Sequence, residues 1–296
     1  VNYPGTPWYY DKKMWEVNDL QSVEIIEQGP IRYCIKIERA FCDSKITQYI
    51  YFYSMISRVD FKTVIDWNEK NILLKAAFPV NINANRATYE IQYGNIERET
   101  HNNTSWDMAK FEVCGHKWAD ISEGAYGISL MNDCKYGYDI KNNLMRLTLL
   151  KSGTYPNPDA DLGIHEFTYS LYPHSGTWKE AGTQKMAYNL NVPMHAVIEN
   201  SHKGTLPEAL ALFSADKENC IIEVVKKAEN GNGVIVRLYE YMNKRDKITI
   251  TAGMDIQNVW ECDLMENKIE NVKTIDRNFT FDIKPYEIKT FLIDFK

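Results

Sequence analysis

Along most of this 296-residue chain apolar and polar residues alternate one by one, and that period of two restricts the fold more than any other feature. In Ile31–Arg39 the residues Ile31, Tyr33, Ile35 and Ile37 share one face of an extended chain, while Arg32, Lys36 and Glu38 share the other. A helix would scatter these side chains around its axis, so a strand with one buried face is expected. The same reading predicts strands over Ile46–Ile56, Phe61–Trp67, Ala87–Tyr93, Gly127–Met131, Leu144–Leu150 and Glu166–Leu171. Ile46–Ile56 is apolar or aromatic on both faces, which predicts a strand covered on both sides. Turn-forming residues separate the runs at Glu27–Pro30, Arg58–Asp60, Asn95 and Tyr155–Asp159.

One helix start stands out. Thr177-Trp-Lys-Glu180 has the capping-box spacing, with Ala181, Met186, Ala187 and Leu190 as a short apolar stripe that stops before Asn191-Val-Pro193. The polar stretch Glu199–Gly204 then marks a domain boundary, giving domains over 1–195 and 196–296. Beyond it the pattern is again all-β. Asn219–Lys226 and Val234–Met242 flank an Asn-Gly turn, and Lys247–Thr251, Val259–Leu264, Phe279–Ile283 and Tyr286–Phe295 follow. Two β-sandwiches in tandem are expected.

Several functions are excluded early. Lys plus Arg is 34 against 40 for Asp plus Glu, a net charge of −6 without a basic patch, so no nucleic-acid partner is expected. No run of 18 apolar residues occurs, so no membrane span is expected. The six cysteines form no CxxC pair and several lie in strand-like runs, as free thiols do, which points to a reducing, cytoplasmic location. The chain starts at Val1 without Met, so it reads as a fragment.

The familiar catalytic patterns are missing: no HExxH, GxSxG or P-loop occurs, and no GxGxxG follows a strand. Six histidines occur without an i, i+4 pair, so neither a metal site nor a catalytic residue is assigned to this chain. Two segments nevertheless carry polar chemistry. Tyr155–Glu166 is a long loop, rich in Pro and Gly, that holds Asp159, Asp161 and His165; long loops in compact domains are often functional, though such a loop also serves as a rigid connection. In the second segment Trp118 stands near Asp120 and Glu123, where an indole face and carboxylates would suit a sugar; a hairpin edge with a half-buried Trp fits equally.

These segments also carry a resemblance. Thr100–Ser105, Phe111-Glu-Val, His116–Glu123, Leu130–Tyr138 and Ala160–Tyr169 resemble the C-terminal region of class II α-mannosidases, glycoside hydrolase family 38, in the cytosolic/vacuolar and bacterial branch. Pro173-His174, Arg237–Glu240 and Lys284–Thr290 continue it in order, so it covers the chain from about Trp8 to Phe295. The resemblance implies a large galactose-mutarotase-like β supersandwich followed by a smaller C-terminal β-sandwich. It also implies that zinc and both catalytic carboxylates of a retaining hydrolase belong to an N-terminal α/β barrel outside this chain, which would be its partner together with mannose-containing glycans. Carried over by position, the family's cleft loop falls on Asp161-Leu162-Gly163, beside His165 and Tyr155, with Trp118 and Asp120 as secondary candidates. Many relatives have Arg where this chain has Leu162, which removes a cationic donor.

The competing readings are a free-standing carbohydrate-binding module and an autonomous epimerase of mutarotase-like fold, for which His116, His174, Asp120 and Glu166 are the pool of acids and bases. The fragment reading predicts an exposed apolar surface near Trp8-Tyr9-Tyr10, Trp15 and Tyr155, which would favour a homo-oligomer.

Overall fold

The computed structural model describes residues 15–205 and 207–296, so Trp8, Tyr9 and Tyr10 lie outside the described residues. The chain is all-β, with two short helices among the described residues. It divides into two compact units: one runs up to Ile91 and resumes over Ile96–Met194, and the other comprises Gln92–Asn95 and His195–Lys296.

The strands up to residue 175 are β1 (Asp19–Gln28), β2 (Arg32–Phe41), β3 (Ser44–Tyr53), β4 (Val59–Trp67), β5 (Leu74–Pro79), β6 (Arg86–Ile91), β7 (Gly94–Glu99), β8 (Val113–Cys114), β9 (Trp118–Glu123), β10 (Tyr126–Asn132), β11 (Gly137–Lys141), β12 (Leu144–Leu150) and β13 (Gly163–Ser175). A nine-stranded sheet has the order β1-β2-β3-β4-β13-β10-β9-β6-β7, and a four-stranded sheet has the order β5-β12-β11-β8. One core joins them: Ile65, Leu130, Phe167 and Tyr169 of the large sheet pack with Ile140, Met145 and Leu147 of the small one. The alternation that announced the strands is thus the seam of a two-layer sandwich.

The strands of the second unit after His195 are β14 (Phe213–Ala215), β15 (Cys220–Lys227), β16 (Val234–Glu240), β17 (Asp246–Ala252), β18 (Ile256–Cys262), β19 (Lys268–Asn271), β20 (Thr274–Ile275), β21 (Asn278–Ile283) and β22 (Ile288–Phe295). Sheets β14-β17-β21-β20 and β15-β16-β22-β18-β19 share the core of Val236, Ile248, Phe279, Phe281 and Phe291. A smaller β-sandwich results.

The helix expected from Thr177 starts later. Glu180 does accept from the backbone N–H and the hydroxyl of Thr177 (2.8 and 3.1 Å), but those residues form a turn. Gly182, with φ +65°, resets the backbone, and helix α2 spans Thr183–Asn191. A complete capping box sits elsewhere, at Thr104 and Asp107, ahead of helix α1 (Ser105–Ala109). Ala87–Tyr93 is interrupted as well: β6 ends at Ile91 and Tyr93 takes φ +56° in a turn. The strand expected at Val259–Leu264 stops at Cys262, because the Asp263 carboxylate accepts from the N–H groups of Met265 and Asn267 and winds a turn. The last strand opens at Ile288 rather than Tyr286, whose φ is +55°.

The strand expected over Ile46–Ile56 is β3, and it is not covered on both sides: Ser44 and Ile46 are buried, while Phe52 is exposed. The register explains the difference. Ile25, Ile35, Ile50 and Phe61 stand opposite one another from β1 to β4, so the core face of the large sheet continues outward onto β1–β3. Out there Val23 is 55% and Ile25 51% exposed, whereas Ile65 on β4 is fully covered. Trp15 and Tyr155 are exposed as expected, and a further group of exposed apolar residues lies on β1–β3, joined by Leu20, Ile31 and Met55.

Candidate functional site

The long loop before β13 is held by its own backbone. Asp161 takes φ +62° and Gly163 φ +109°, so the chain reverses sharply as it enters the strand. The Asp161 carboxylate accepts from the N–H groups of Lys151 (3.0 Å) and Ser152 (2.9 Å), and the His165 Nε2 lies 2.8 Å from the Asp161 carbonyl oxygen. Burial would raise the Asp161 pKa, but the Ser152 and Lys151 N–H groups, with His165 and Lys135 nearby, outweigh it and hold the carboxyl below its ordinary value. Asp159 pairs with Lys70 at 2.8 Å, and the Asn157 side chain accepts from the Asp159 N–H. Asp161 and His165 thus act on the loop itself. What the loop presents outward is Tyr155, 92% exposed, and Ile164.

Trp118 and Asp120 require a correction. Both lie on the outer face of the large sheet, where the segment 176–191 covers them, and neither is open to a ligand. Trp118 is 0% exposed; its indole N–H donates to Gln184 (2.6 Å) and its ring packs on Trp178 with centroids 5.0 Å apart. Asp120 accepts from Ser122, from Ser129 at 2.7 Å and from the His174 ring nitrogen at 2.8 Å. The Ser129 hydroxyl also meets Thr183 at the start of α2 (2.8 Å), so the row fastens the covering helix to the sheet. Spacing alone could not reveal this, because a polar residue on the outward face of a strand reads as solvated until something covers it.

The acids and bases an epimerase would need are not gathered either. His174 and Asp120 are sealed together, whereas Glu166 is exposed and paired with Lys62 at 2.7 Å. Glu166 and His174 are eight residues apart on one strand, about 26 Å. His116 packs beside Tyr136. Among the described residues no group of three or more His, Cys, Asp or Glu is placed to hold a metal ion.

Sequence comparison fits this all-β architecture. Residues 7–159 match the glycosyl hydrolases family 38 C-terminal domain, and residues 219–291 match the glycosyl hydrolases family 38 C-terminal beta sandwich domain. The chain belongs to glycosyl hydrolase family 38. Alpha-mannosidase G of Dictyostelium discoideum is 40% identical over 287 residues, which is 90% of this chain and 26% of that protein. Alpha-mannosidase 2C1 of Mus musculus is 35% identical over 257 residues (85% of this chain, 24% of that protein). The alpha-mannosidase of Saccharomyces cerevisiae is 35% identical over 263 residues, with 81% and 24% covered. This family 38 chain thus spans about a quarter of the length of the curated relatives it matches. In fold it is similar to the crystal structure of an alpha-mannosidase from Enterococcus faecalis, with a TM-score of 0.78 at 15% identity over 92% of this chain and 35% of that one.

Proposed function

We propose that this family 38 chain is the C-terminal β part of a zinc-dependent, retaining α-mannosidase, and that its loop 151–165 forms part of the wall of the sugar cleft. The observation that carries the reading is the run of relatives named alpha-mannosidase, at 34 to 40% identity over most of this chain. In a retaining hydrolase one carboxylate attacks the anomeric carbon and a second protonates the leaving oxygen, while a metal can hold sugar hydroxyls. Among the described residues no group of three or more His, Cys, Asp or Glu is placed to hold a metal ion, and the family resemblance assigns zinc and both carboxylates to an N-terminal barrel outside this chain.

This chain's own contribution is shape and one aromatic surface. Asp161 and His165 fix the reversal, and Tyr155 presents an exposed ring of the kind that stacks on the apolar face of a pyranose. Its partners are then the remainder of the polypeptide and mannose-containing glycans. All six cysteines are unpaired, which supports a reducing, cytoplasmic location.

The test uses the whole protein. Tyr155→Ala should lower kcat/KM for an α-mannoside by about 5- to 100-fold, equivalent to roughly 1–3 kcal/mol, with Tyr155→Phe close to wild type. Unchanged kinetics in a folded Tyr155→Ala protein would return the loop to a connecting role. The 296-residue chain alone should show no turnover. Hydrolysis by the purified, metal-loaded chain above a denatured control would overturn the assignment of the catalytic groups.

A further inference from the structure

The first unit has a cleft of about 400 Å³, within the range of small-molecule sites, around which five asparagines converge: Asn81, Asn83, Asn85, Asn142 and Asn143. Asn81, Asn83 and Asn85 alternate with Ile82 and Ala84, which pack into the sandwich core, so the three amides occupy the outward positions of one extended segment. Asn142 and Asn143 form the tip of the β11–β12 hairpin. Turn chemistry accounts for one of the five: Asn142 takes φ +50°, a conformation asparagine tolerates. It gives no reason for the other four.

The scaffold beneath them is cross-bonded. The Thr100 N–H donates to the Asn85 carbonyl (3.0 Å), its hydroxyl to the Ala84 carbonyl (2.8 Å), and its own carbonyl accepts from the Asn142 N–H (2.8 Å). The Val80 N–H reaches the Asn143 carbonyl (2.9 Å), and the Asn83 N–H reaches the Glu123 carboxylate (2.9 Å). Where these bonds involve the asparagines, they use backbone groups only. Among the described residues none of the five side-chain amides has a hydrogen-bond partner in the protein, so their donors and acceptors remain available on a braced floor.

A carboxamide offers an acceptor and two donors without net charge, and two rotatable bonds keep its ordering cost small. Adjacent sugar hydroxyls need that set, since each both donates and accepts. Anions find no Lys or Arg on the lining, and a cation finds one carboxylate, Glu123, with an oxygen already engaged. His101 also lines the cleft, but both of its ring nitrogens face protein partners: Nε2 lies 3.3 Å from Glu99, and Nδ1 accepts from the Asn103 N–H at 3.4 Å.

We infer that this cleft binds neutral carbohydrate, through the amides of Asn81, Asn83, Asn85 and Asn143. The inference goes beyond the hydrolase reading and does not depend on it. Native electrophoresis of the whole protein in gels cast with α-mannan, and in parallel with dextran, tests it. The wild-type protein should be retarded in at least one gel. The triple variant Asn81→Ala, Asn83→Ala, Asn85→Ala should lose that affinity tenfold or more, as removal of several neutral hydrogen bonds predicts. Its melting temperature should stay unchanged, because all three side chains are exposed. Equal mobility of variant and wild type in both gels, or no retardation of wild type in either, overturns the inference even if the protein hydrolyses α-mannosides. Asparagine-dependent retardation in a protein without α-mannosidase turnover upholds the inference and removes the hydrolase reading instead.

Discussion

Replacing Asp161 should loosen the 151–163 loop by an amount that depends on the replacement. Ala removes the acceptor of two backbone N–H groups, those of Lys151 and Ser152, at 3.0 and 2.9 Å. Each such bond contributes about 1 kcal/mol at a partly exposed site. Ala must also take the left-handed conformation that Asp161 holds at φ +62°, which costs roughly another 1 kcal/mol. The total is about 3 kcal/mol, or close to a hundredfold in the local opening equilibrium. Asn keeps an acceptor and tolerates the left-handed conformation, so Asp161→Asn should cost about 1 kcal/mol, roughly fivefold. Hydrogen exchange at neutral pH measures both through the Lys151 and Ser152 amides, with the amides of β13 as an internal reference. The carboxyl's pKa is depressed, so its contribution is present above its ordinary value of 3.8 and is lost as pH falls through the lowered one. The difference between wild type and Asp161→Asn should therefore shrink in that acid range. Unchanged exchange at Lys151 and Ser152 in the Ala variant would refute the claim that this carboxylate holds the loop.

Trp118→Ala should cost about 3–5 kcal/mol in denaturant unfolding, since it empties a buried indole site and strips Gln184 of its donor, whereas Tyr155→Ala should stay within about 0.5 kcal/mol of wild type. Gly127→Ala should destabilise by roughly 1–3 kcal/mol in the same assay, because a β-carbon there would lie 2.3 Å from the His174 ring and 2.4 Å from the Ser122 hydroxyl. A calorimetric melt matching wild type would disprove the close approach. Lys45 and then Lys36 hold the half-buried Glu38 carboxyl at about 2, below its ordinary 4.5, so its ion pairs persist above pH 4.5 and are lost as pH falls toward 2. An NMR midpoint near 4.5 would contradict this.

The strands were legible because one buried face writes a period of two into the chain, and β12 and β21 show it plainly. The covering segment over the outer face was not. Its buried polar groups include Thr183 and Gln184, residue types that sequence assigns to solvent, and they meet Ser129 and Trp118, 54 and 66 positions away. The Tyr155–Glu166 loop was visible through its Pro, Gly and Asp content, but whether Asp161 faces a ligand or its own backbone depends on Lys151 and Ser152, which carry no pattern of their own. The asparagine cleft escaped notice for a related reason. Asn81, Asn83 and Asn85 carry no motif by themselves, and the Asn142–Asn143 hairpin is brought near them only by the pairing of β5 with β12.

Strand β13 lies between β4 and β10 in the large sheet, and its place in the chain sets an order of events during synthesis. The first four strands form a meander whose contacts are all between neighbours, so they can assemble as soon as residue 67 is clear of the ribosome. The free edge of β4 then waits for Gly163–Ser175, about a hundred residues later, or on the order of 5–20 s at ordinary translation rates. An edge left open that long invites pairing with another nascent chain. β4 carries Asp60, Lys62 and Asp66 at intervals along its length, charges that oppose such pairing until β13 arrives. A ribosome that stalls between residues 67 and 163 would therefore hold this protein at its most aggregation-prone stage.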